Sequence, residues 1–171
     1  NITIEDCSTV NVYSKSFRIN SAAVRNGASI QRNTIVDNGP HETMCYGGDF
    51  SEDGSAIVCG ANDATIMHNN LNRVAYHGIW FTGSDLVCDT NYINRFGVWT
   101  NDCGGLYTFA LNAPGTITIY TNRFGRKNII VGGRAWVYGY RNPVSPEARG
   151  IYVDARGHNV DFIDNLVYDC D

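Results

Sequence analysis

The chain has 171 residues, a formal net charge of −4 and 43% hydrophobic residues, which suits one domain with its own core. An acidic chain lacks the basic surface that phosphate groups require, so no nucleic-acid partner is expected. No run of about twenty apolar residues occurs, so no membrane span is expected either. The chain begins in Asn-Ile-Thr, and we interpret residues 1–171 as a single domain from a longer protein.

One short pattern recurs along the chain: an apolar residue, two variable residues, Asn, one variable residue and an apolar residue. A weaker copy at residues 2–7 precedes five clear copies. In chain order these are segments 30–35, 66–71, 88–93, 119–124 and 162–167, which place Asn33, Asn69, Asn91, Asn122 and Asn165 at the shared position.

A second pattern, Gly followed by apolar and aromatic residues, lies between these copies. It occupies residues 78–81, 97–100, 105–108 and 150–153. These segments are short, rich in β-branched or aromatic residues and bounded by Gly, Asn or Asp, which predicts strands. No stretch of ten residues has a clean helical period.

Short strands repeated without helices predict an all-β fold, a right-handed parallel β-helix (β-solenoid) of about six coils. Stacked coils would align the Asn residues into an Asn ladder, in which each amide bonds the next. A β-sandwich also has short strands, but it gives no reason for a shared Asn position. Insertions near 38–60, 109–116 and 132–149 would form a binding face. The open edges of the end coils suggest neighbouring protein chains stacking there.

Six cysteines, an even number without a Cys-x-x-Cys pair, favour disulfides in an oxidising, extracellular or cell-surface location. Cys45 and Cys59 flank a Gly-rich insertion and are the first pair expected. The alternative is that several cysteines are small buried apolar residues. Neither a metal site nor a cofactor is expected.

The repeat resembles the right-handed parallel β-helix of the pectate-lyase-like superfamily, and residues 78–167 resemble most closely the β-helix glycoside hydrolases among carbohydrate-active enzymes. Two stretches carry the finer likeness, Asp-Cys-Gly-Gly-Leu-Tyr-Thr at 102–108 and Gly-Ile-Tyr-Val-Asp-Ala at 150–155. The chain departs from the family pattern at Gly105 and Ala155. The resemblance implies that Asp102 and Asp154 are the catalytic carboxylates.

A glycosidase pair must lie about 5–10 Å apart. Asp102 precedes its strand and Asp154 follows the matching one, so extended strands would separate them by about 23 Å. The two side chains therefore meet only if residues 103–105 fold back. Capping of turns by Asp is the alternative role.

Alternation along strands predicts that Trp80, Trp99 and Tyr152 face outward, where with Tyr107 they would form a flat surface for sugar rings. Arg156 and His158, in the turn after Asp154, complete the expected substrate-binding set. Lysine is scarce, with two residues, and no Asp cluster of calcium type occurs, so a polysaccharide lyase is less expected than a hydrolase. The function expected is glycoside hydrolysis of an extracellular polysaccharide. The alternatives are a non-catalytic structural module of a cell-surface or filament protein, and a carbohydrate-binding module.

Overall fold

The computed structural model describes residues 2–19, 27–39, 54–100, 102–112, 116–117, 120–134, 136–137, 140–141 and 147–171. Their regular structure is strand, without helix, so these ranges hold no helix long and apolar enough to cross a membrane. The strands wind into three parallel sheets. This confirms the predicted all-β, right-handed parallel β-helix.

Each coil gives one strand to each sheet, in the order first, second, third, and the sixth coil ends after its second strand. The first sheet contains β1 (Ile2–Glu5), β4 (Ala28–Gln31), β7 (Thr65–Met67), β10 (Val87–Asp89), β15 (Arg123–Arg126) and β20 (Val160–Ile163). The second contains β2 (Ser8–Val10), β5 (Thr34–Asn38), β8 (Asn70–Val74), β11 (Tyr92–Phe96), β16 (Ile129–Val131) and β21 (Leu166–Tyr168).

The third sheet has five strands, and two small antiparallel hairpins lie outside the coils. The sheet contains β3 (Phe17–Ile19), β6 (Ile57–Cys59), β9 (Ile79–Phe81), β12 (Cys103–Thr108) and β19 (Ala148–Val153). The hairpins are β13 (Leu111–Asn112) with β14 (Thr116–Ile117), and β17 (Trp136–Val137) with β18 (Tyr140–Arg141). Both hairpins fall in predicted insertions. Residues 40–53 of the first predicted insertion lie outside the described part of the chain.

The core consists of apolar columns, because in-register parallel strands place equivalent side chains one above the other about 4.8 Å apart. In the first sheet the inward column is Ile4, Ile30, Ile66, Cys88, Gly125 and Phe162. In the second sheet the column is Thr9, Ile35, Leu71, Ile93, Ile130 and Val167. Ile30, Ile66, Leu71 and Ile93 are fully buried.

An Asn ladder connects the coils at the turn between the first and second sheets. The Asn69 amide Nδ2 donates to Oδ1 of Asn91 at 2.9 Å and to the Ile30 carbonyl at 2.9 Å. Oδ1 of Asn91 also accepts from the Asn69 backbone N–H at 3.1 Å. The same bonds recur from coil to coil along Asn33, Asn69, Asn91, Asn128 and Asn165. The ladder therefore provides hydrogen-bond partners for the buried backbone groups of each turn.

Four of the five predicted ladder residues are confirmed, and Asn122 is wrong. The fifth-coil position belongs to Asn128, whose amide bonds Asn165 at 2.9 Å. The sequence pattern failed because Gly125 stands three residues before Asn128, where the other coils have an apolar residue. A Cβ on Gly125 would lie 2.7 Å from a ring carbon of Phe162, so the next coil fills the missing volume.

Asn122 belongs to a different turn, the one that enters the first sheet. Its φ is 46°, and the equivalent residues Gly27, Asp63, Asp85 and Asn159 also have positive φ. Asn is among the residues that adopt this left-handed conformation most readily. Its exposed amide donates to Asp85 at 2.8 Å.

The expected disulfides are not supported. The five described cysteines are free thiols, and Cys45, the predicted partner of Cys59, lies outside the described residues. Cys59, Cys88 and Cys103 are fully buried in the core. Burial raises the pKa of Cys59 to about 11, so this thiol stays protonated near neutrality. These three cysteines act as small apolar residues.

Candidate functional site

An aromatic column lies on the outer face of the third sheet. Strand pairing places Trp80 beside Tyr107, and Tyr107 beside Tyr152. The Tyr107 ring lies 4.9 Å from that of Trp80 and 5.3 Å from that of Tyr152, both edge-to-face. Phe109 packs edge-on against Trp80 at 5.5 Å. The column comes from three of the four Gly-aromatic segments, at 78–81, 105–108 and 150–153, whose predicted strands are confirmed.

The column is not the exposed flat surface that was expected. Trp80 is 7% exposed and Tyr107 is 8% exposed, because neighbouring rings cover them. Tyr152 is only partly buried and keeps an accessible edge. Of these three aromatic residues, Tyr152 is therefore the one that a ligand can reach.

Trp99 does not join this column, because residues 97–100 form a turn and not the predicted strand. Gly97 has a φ of 67°, which starts the turn directly after β11. The partly exposed Trp99 lines a separate groove at the turn between the second and third sheets. The aromatic pattern alone could not separate a strand from a turn of the same composition.

Strand β12 bends at Gly104, next to a buried histidine. A Cβ on Gly104 would lie 2.9 Å from the Leu106 carbonyl oxygen and 3.0 Å from Cβ of Tyr152. The Gly104 N–H donates to Nδ1 of His77 at 3.0 Å. Gly104 therefore lies in close contact with Tyr152.

His77 is fully buried and stacks on Tyr107, with ring centroids 3.9 Å apart. Burial lowers the pKa of His77 well below its ordinary value, so the ring is neutral. Its Nδ1 accepts from Gly104, so the proton is on Nε2, which has no hydrogen-bond partner among the described atoms. We assign His77 to holding the bend, since no solvent reaches the ring for proton transfer.

Asp102 lies at the start of the bend, beside Arg149 and Tyr152. Its Oδ1 is 3.3 Å from a guanidinium nitrogen of Arg149, and its side chain is 48% exposed. The Arg149 guanidinium also lies 4.2 Å from the centroid of the Tyr152 ring. Burial, a hydrogen bond to Asp102 and the charges of Asp102 and Asp154 raise the pKa of Tyr152. The Tyr152 hydroxyl thus interacts electrostatically with both carboxylates that were predicted to be catalytic.

Asp154 follows β19 and is held by three hydrogen bonds. The Tyr107 hydroxyl donates to Oδ2 at 2.9 Å, and the Ala155 N–H donates to Oδ1 at 2.6 Å. The Asp154 N–H donates to the Thr108 carbonyl at 2.9 Å. Burial and the hydrogen bond to Asp154 raise the pKa of Tyr107, so its hydroxyl remains a donor. Both carboxylate oxygens of Asp154 are therefore occupied by donors.

Arg156 and His158 lie in the tight turn after Asp154. The Gly157 N–H donates to the Asp154 carbonyl at 2.8 Å, and both central residues, Ala155 and Arg156, have positive φ. This is the type I′ geometry. Arg156 is exposed, and Nδ1 of His158 lies 3.0 Å from its carbonyl oxygen. The turn places Arg156 at the edge of the group formed by Asp102, Tyr107, Tyr152 and Asp154.

The sequence analysis did not assign a role to Arg123, which occupies an inward core position of the first sheet. The equivalent residue in the coil before is Leu86, yet Arg123 is fully buried. It donates to the Thr108 hydroxyl and to the His158 carbonyl. Burial lowers the pKa of Arg123. A charged residue at an apolar position of the repeat was the signal that could have identified it.

No group of three or more His, Cys, Asp or Glu side chains within the described ranges is arranged to hold a metal ion. Comparison with known proteins adds no further assignment: no protein-family model, no curated protein and no solved structure matches the chain. The functional assignment therefore depends on the arrangement of side chains on the third sheet.

Proposed function

We propose that the chain is an extracellular, polysaccharide-acting β-helix of the pectate-lyase-like kind, which hydrolyses a glycosidic bond with Asp102 and Asp154. The observation that supports the proposal is the position of Tyr152 on the third sheet. Its ring contacts that of Tyr107, whose hydroxyl donates to Asp154, and it also contacts Arg149, which is paired with Asp102.

The hydrogen bonds suggest different roles for the two carboxylates. Donors from Tyr107 and Ala155 fix the position of both carboxylate oxygens of Asp154, which suits a base or a nucleophile. Asp102, about half exposed, would then act as the acid at the leaving oxygen. Tyr152 would pack against the sugar, and Arg156 with His158 would border the substrate at the edge of the turn.

Activity on a panel of polysaccharides, measured as released reducing sugar, tests the proposal. Asp102→Asn and Asp154→Asn are each expected to lower kcat by at least about 100-fold, the usual contribution of acid–base groups. Asp161→Asn, an exposed Asp on β20, is the matched control and should retain activity. If Asp154→Gly is rescued by azide, Asp154 is the base or nucleophile. Equal activity of all variants would contradict the assignment.

A binding module without cleavage remains the closest alternative, and the same panel separates the two. Glycan binding by the unmodified chain, together with no released sugar from any substrate, would favour that alternative.

We propose a structural module as a second candidate function, supported by the apolar surface of the last coil. Its exposed large side chains are Ile163, Leu166, Val167 and Tyr168, with relative exposures of 39–54%. A further coil or a neighbouring chain stacked on this coil would cover Val167, the end of the inward column of the second sheet. Light scattering at increasing concentration tests the proposal: growth of end-to-end oligomers supports it, and a monomer throughout contradicts it.

A further inference from the structure

An exposed apolar column lies on the outer face of the second sheet, in the fourth to sixth coils. Strand register places Tyr92 beside Ile129, and Ile129 beside Leu166. These three side chains are 39%, 39% and 54% exposed, and Tyr168, two residues after Leu166, is 49% exposed. We call these four residues the apolar face. It lies on a different sheet from the two candidate carboxylates.

The apolar face is a local change in the repeat. In the first three coils the same outward column holds the polar residues Ser8, Thr34 and Asn70. On the outer face of the first sheet, the fourth and fifth coils carry an ion pair between Asp89 and Arg126, at 2.7 Å. A solenoid needs no apolar side chain at an outward position. Three in register therefore indicate a surface that packs against another molecule.

Polar and charged residues border the apolar face at both ends of its strands. At the end that leads to the third sheet, the fourth, fifth and sixth coils hold Arg95, Gly132 and Asp169. At the ladder-turn end, the same coils hold Thr90, Lys127 and Asp164. Each border ends in an aspartate in the sixth coil, so the charge pattern has a direction along the solenoid.

This direction distinguishes the two ways in which two copies of the chain can pack their apolar faces together. With antiparallel solenoid axes, the fourth coil of each copy faces the sixth coil of the other, and Arg95 meets Asp169 twice. With parallel axes, each coil faces its equivalent with the strand ends exchanged, and Asp164 meets Asp169. Opposite charges across an interface favour association, whereas facing like charges oppose it. The charges therefore favour antiparallel axes.

Both members of the expected ion pair are accessible. Arg95 is exposed and forms no ion pair with another residue of the described ranges. The Asp169 side chain is 61% exposed, and its bond to Arg134 uses Oδ2. Its second oxygen can therefore accept from another guanidinium. At the opposite border, the two Lys127 side chains of such a pair would lie between the two Asp164 side chains, which balance their charge.

We propose that the apolar face is a self-association surface, on which two copies of the chain pack with antiparallel solenoid axes. Tyr92 of each copy packs on Leu166 of the other, and Ile129 packs on its equivalent at the two-fold axis. Arg95 of each copy pairs with Asp169 of the other. Facing sheets interdigitate their side chains about 10 Å apart, which removes the apolar residues from water. A face of six short strands is smaller than the roughly 800 Å² per partner of stable complexes, so a micromolar dimer is expected.

Sedimentation equilibrium over a concentration series tests the proposal, and a closed equilibrium between monomer and dimer is expected. Ile129→Asn gives the outward column the residue type of the third coil and should weaken dimerisation at least about tenfold. Ile163→Asn changes a side chain that is 45% exposed on the first sheet and should leave dimerisation unchanged. A monomer up to about 1 mM, open-ended growth as in end-to-end stacking, or equal effects of the two variants would overturn the proposal.

Charge reversal tests the antiparallel geometry. Arg95→Asp and Asp169→Arg each bring like charges together, so each variant alone should dimerise at least about tenfold more weakly. An equimolar mixture of the two should form heterodimers, and the double variant should regain the homodimer, because opposite charges then meet again. Residues 37, 73, 95 and 169 of this column are Asp or Arg with φ of 54–58°, so both substitutions suit the fold, which circular dichroism checks. A mixture that stays monomeric, or a double variant that dimerises no better than the single ones, would overturn the geometry.

Discussion

The ladder turn is nearly the same in every coil, whereas the third-sheet side of the molecule changes from coil to coil. At the ladder turn, successive coils use the same amide side chain and the same hydrogen bonds, and the preceding residue always has a φ of 53–56°. On the third-sheet side, adjacent coils differ: the outward column changes from Val58 to Trp80, Tyr107 and Tyr152. The candidate chemistry is confined to the side that varies.

The difference shows how a solenoid can carry both stability and function. A repeated turn that satisfies its own buried backbone holds the coils in register whatever the other turns contain. The remaining surface can then accept insertions, a bend at Gly104 and buried polar groups such as His77 and Arg123.

The largest effect is expected from breaking the ladder at Asn91. Asn91→Ala leaves the buried Asn69 N–H and amide without their acceptor, and the Ile66 carbonyl without its donor. Each unpaired buried group costs about 1–3 kcal/mol, and we expect a loss of about 3 kcal/mol in the free energy of unfolding, measured in urea. The exposed Asn122→Ala is the matched control and should lose no more than about 0.5 kcal/mol. Equal losses would contradict a stabilising role of the ladder.

The second effect concerns close packing between the second and third sheets. A Cβ at Gly105 would lie 2.8 Å from the Gly150 carbonyl oxygen and would collide with Cγ2 of Ile130. Gly105→Ala is expected to reduce the free energy of unfolding by about 2 kcal/mol, the usual range for overpacking. Gly132→Asp, in more open space, should lose less than about 1 kcal/mol. The comparison fails if the two losses are reversed.

The third effect is a pH dependence from His77. The folded state holds this ring neutral, whereas the unfolded chain protonates it below its usual pKa of 6.5. The contribution of His77 to the free energy of unfolding is therefore constant above about pH 6.5 and falls as the pH drops, by at most about 1.4 kcal/mol per unit. Unfolding in urea at pH 7.5 and 5.5 measures this slope. His77→Gln should reduce it, whereas the exposed His68→Gln should leave it unchanged.

The smallest effect is expected from a substitution that extends the ladder by one residue, Cys7→Asn. Cys7 occupies the ladder position of the first coil, and its backbone N–H donates to Oδ1 of Asn33 at 2.9 Å. In Cys7→Asn the new amide can donate to the same oxygen, as Asn33 does to Asn69. We expect a gain of about 0.5–1 kcal/mol in the free energy of unfolding. Cys7→Ser, which cannot reach that acceptor in the same way, should show no gain.

The repeat could be predicted from the sequence because each ladder Asn lies at a fixed, short distance along the chain from a core residue. Asn33, Asn69, Asn91 and Asn165 have an apolar residue three positions earlier, which stacks in the first-sheet column. Asn128 was not predicted because Gly125, three positions earlier, lacks the apolar side chain of the pattern. The ring of Phe162 in the next coil fills that space instead. That compensation is a contact between coils, which no local pattern records.

The candidate site was predicted only in part, for a related reason. Asp102, Tyr152 and Asp154 belong to segments recognisable in the sequence, and their catalytic and binding roles stay a prediction. The predicted role of Trp80 and Tyr107 as exposed sugar platforms is wrong, because burial depends on what packs over a strand and not on its own alternation.

The spacing of residues along the chain alone determined that this protein is a coiled stack of short strands with an amide at one turn. This is because a solenoid repeats the same residue types at equivalent positions in every coil. The tertiary structure alone decided which outward rings are covered and how closely Gly104 packs against Tyr152. Those properties depend on neighbours that are 20–45 residues distant in the sequence but one coil away in space.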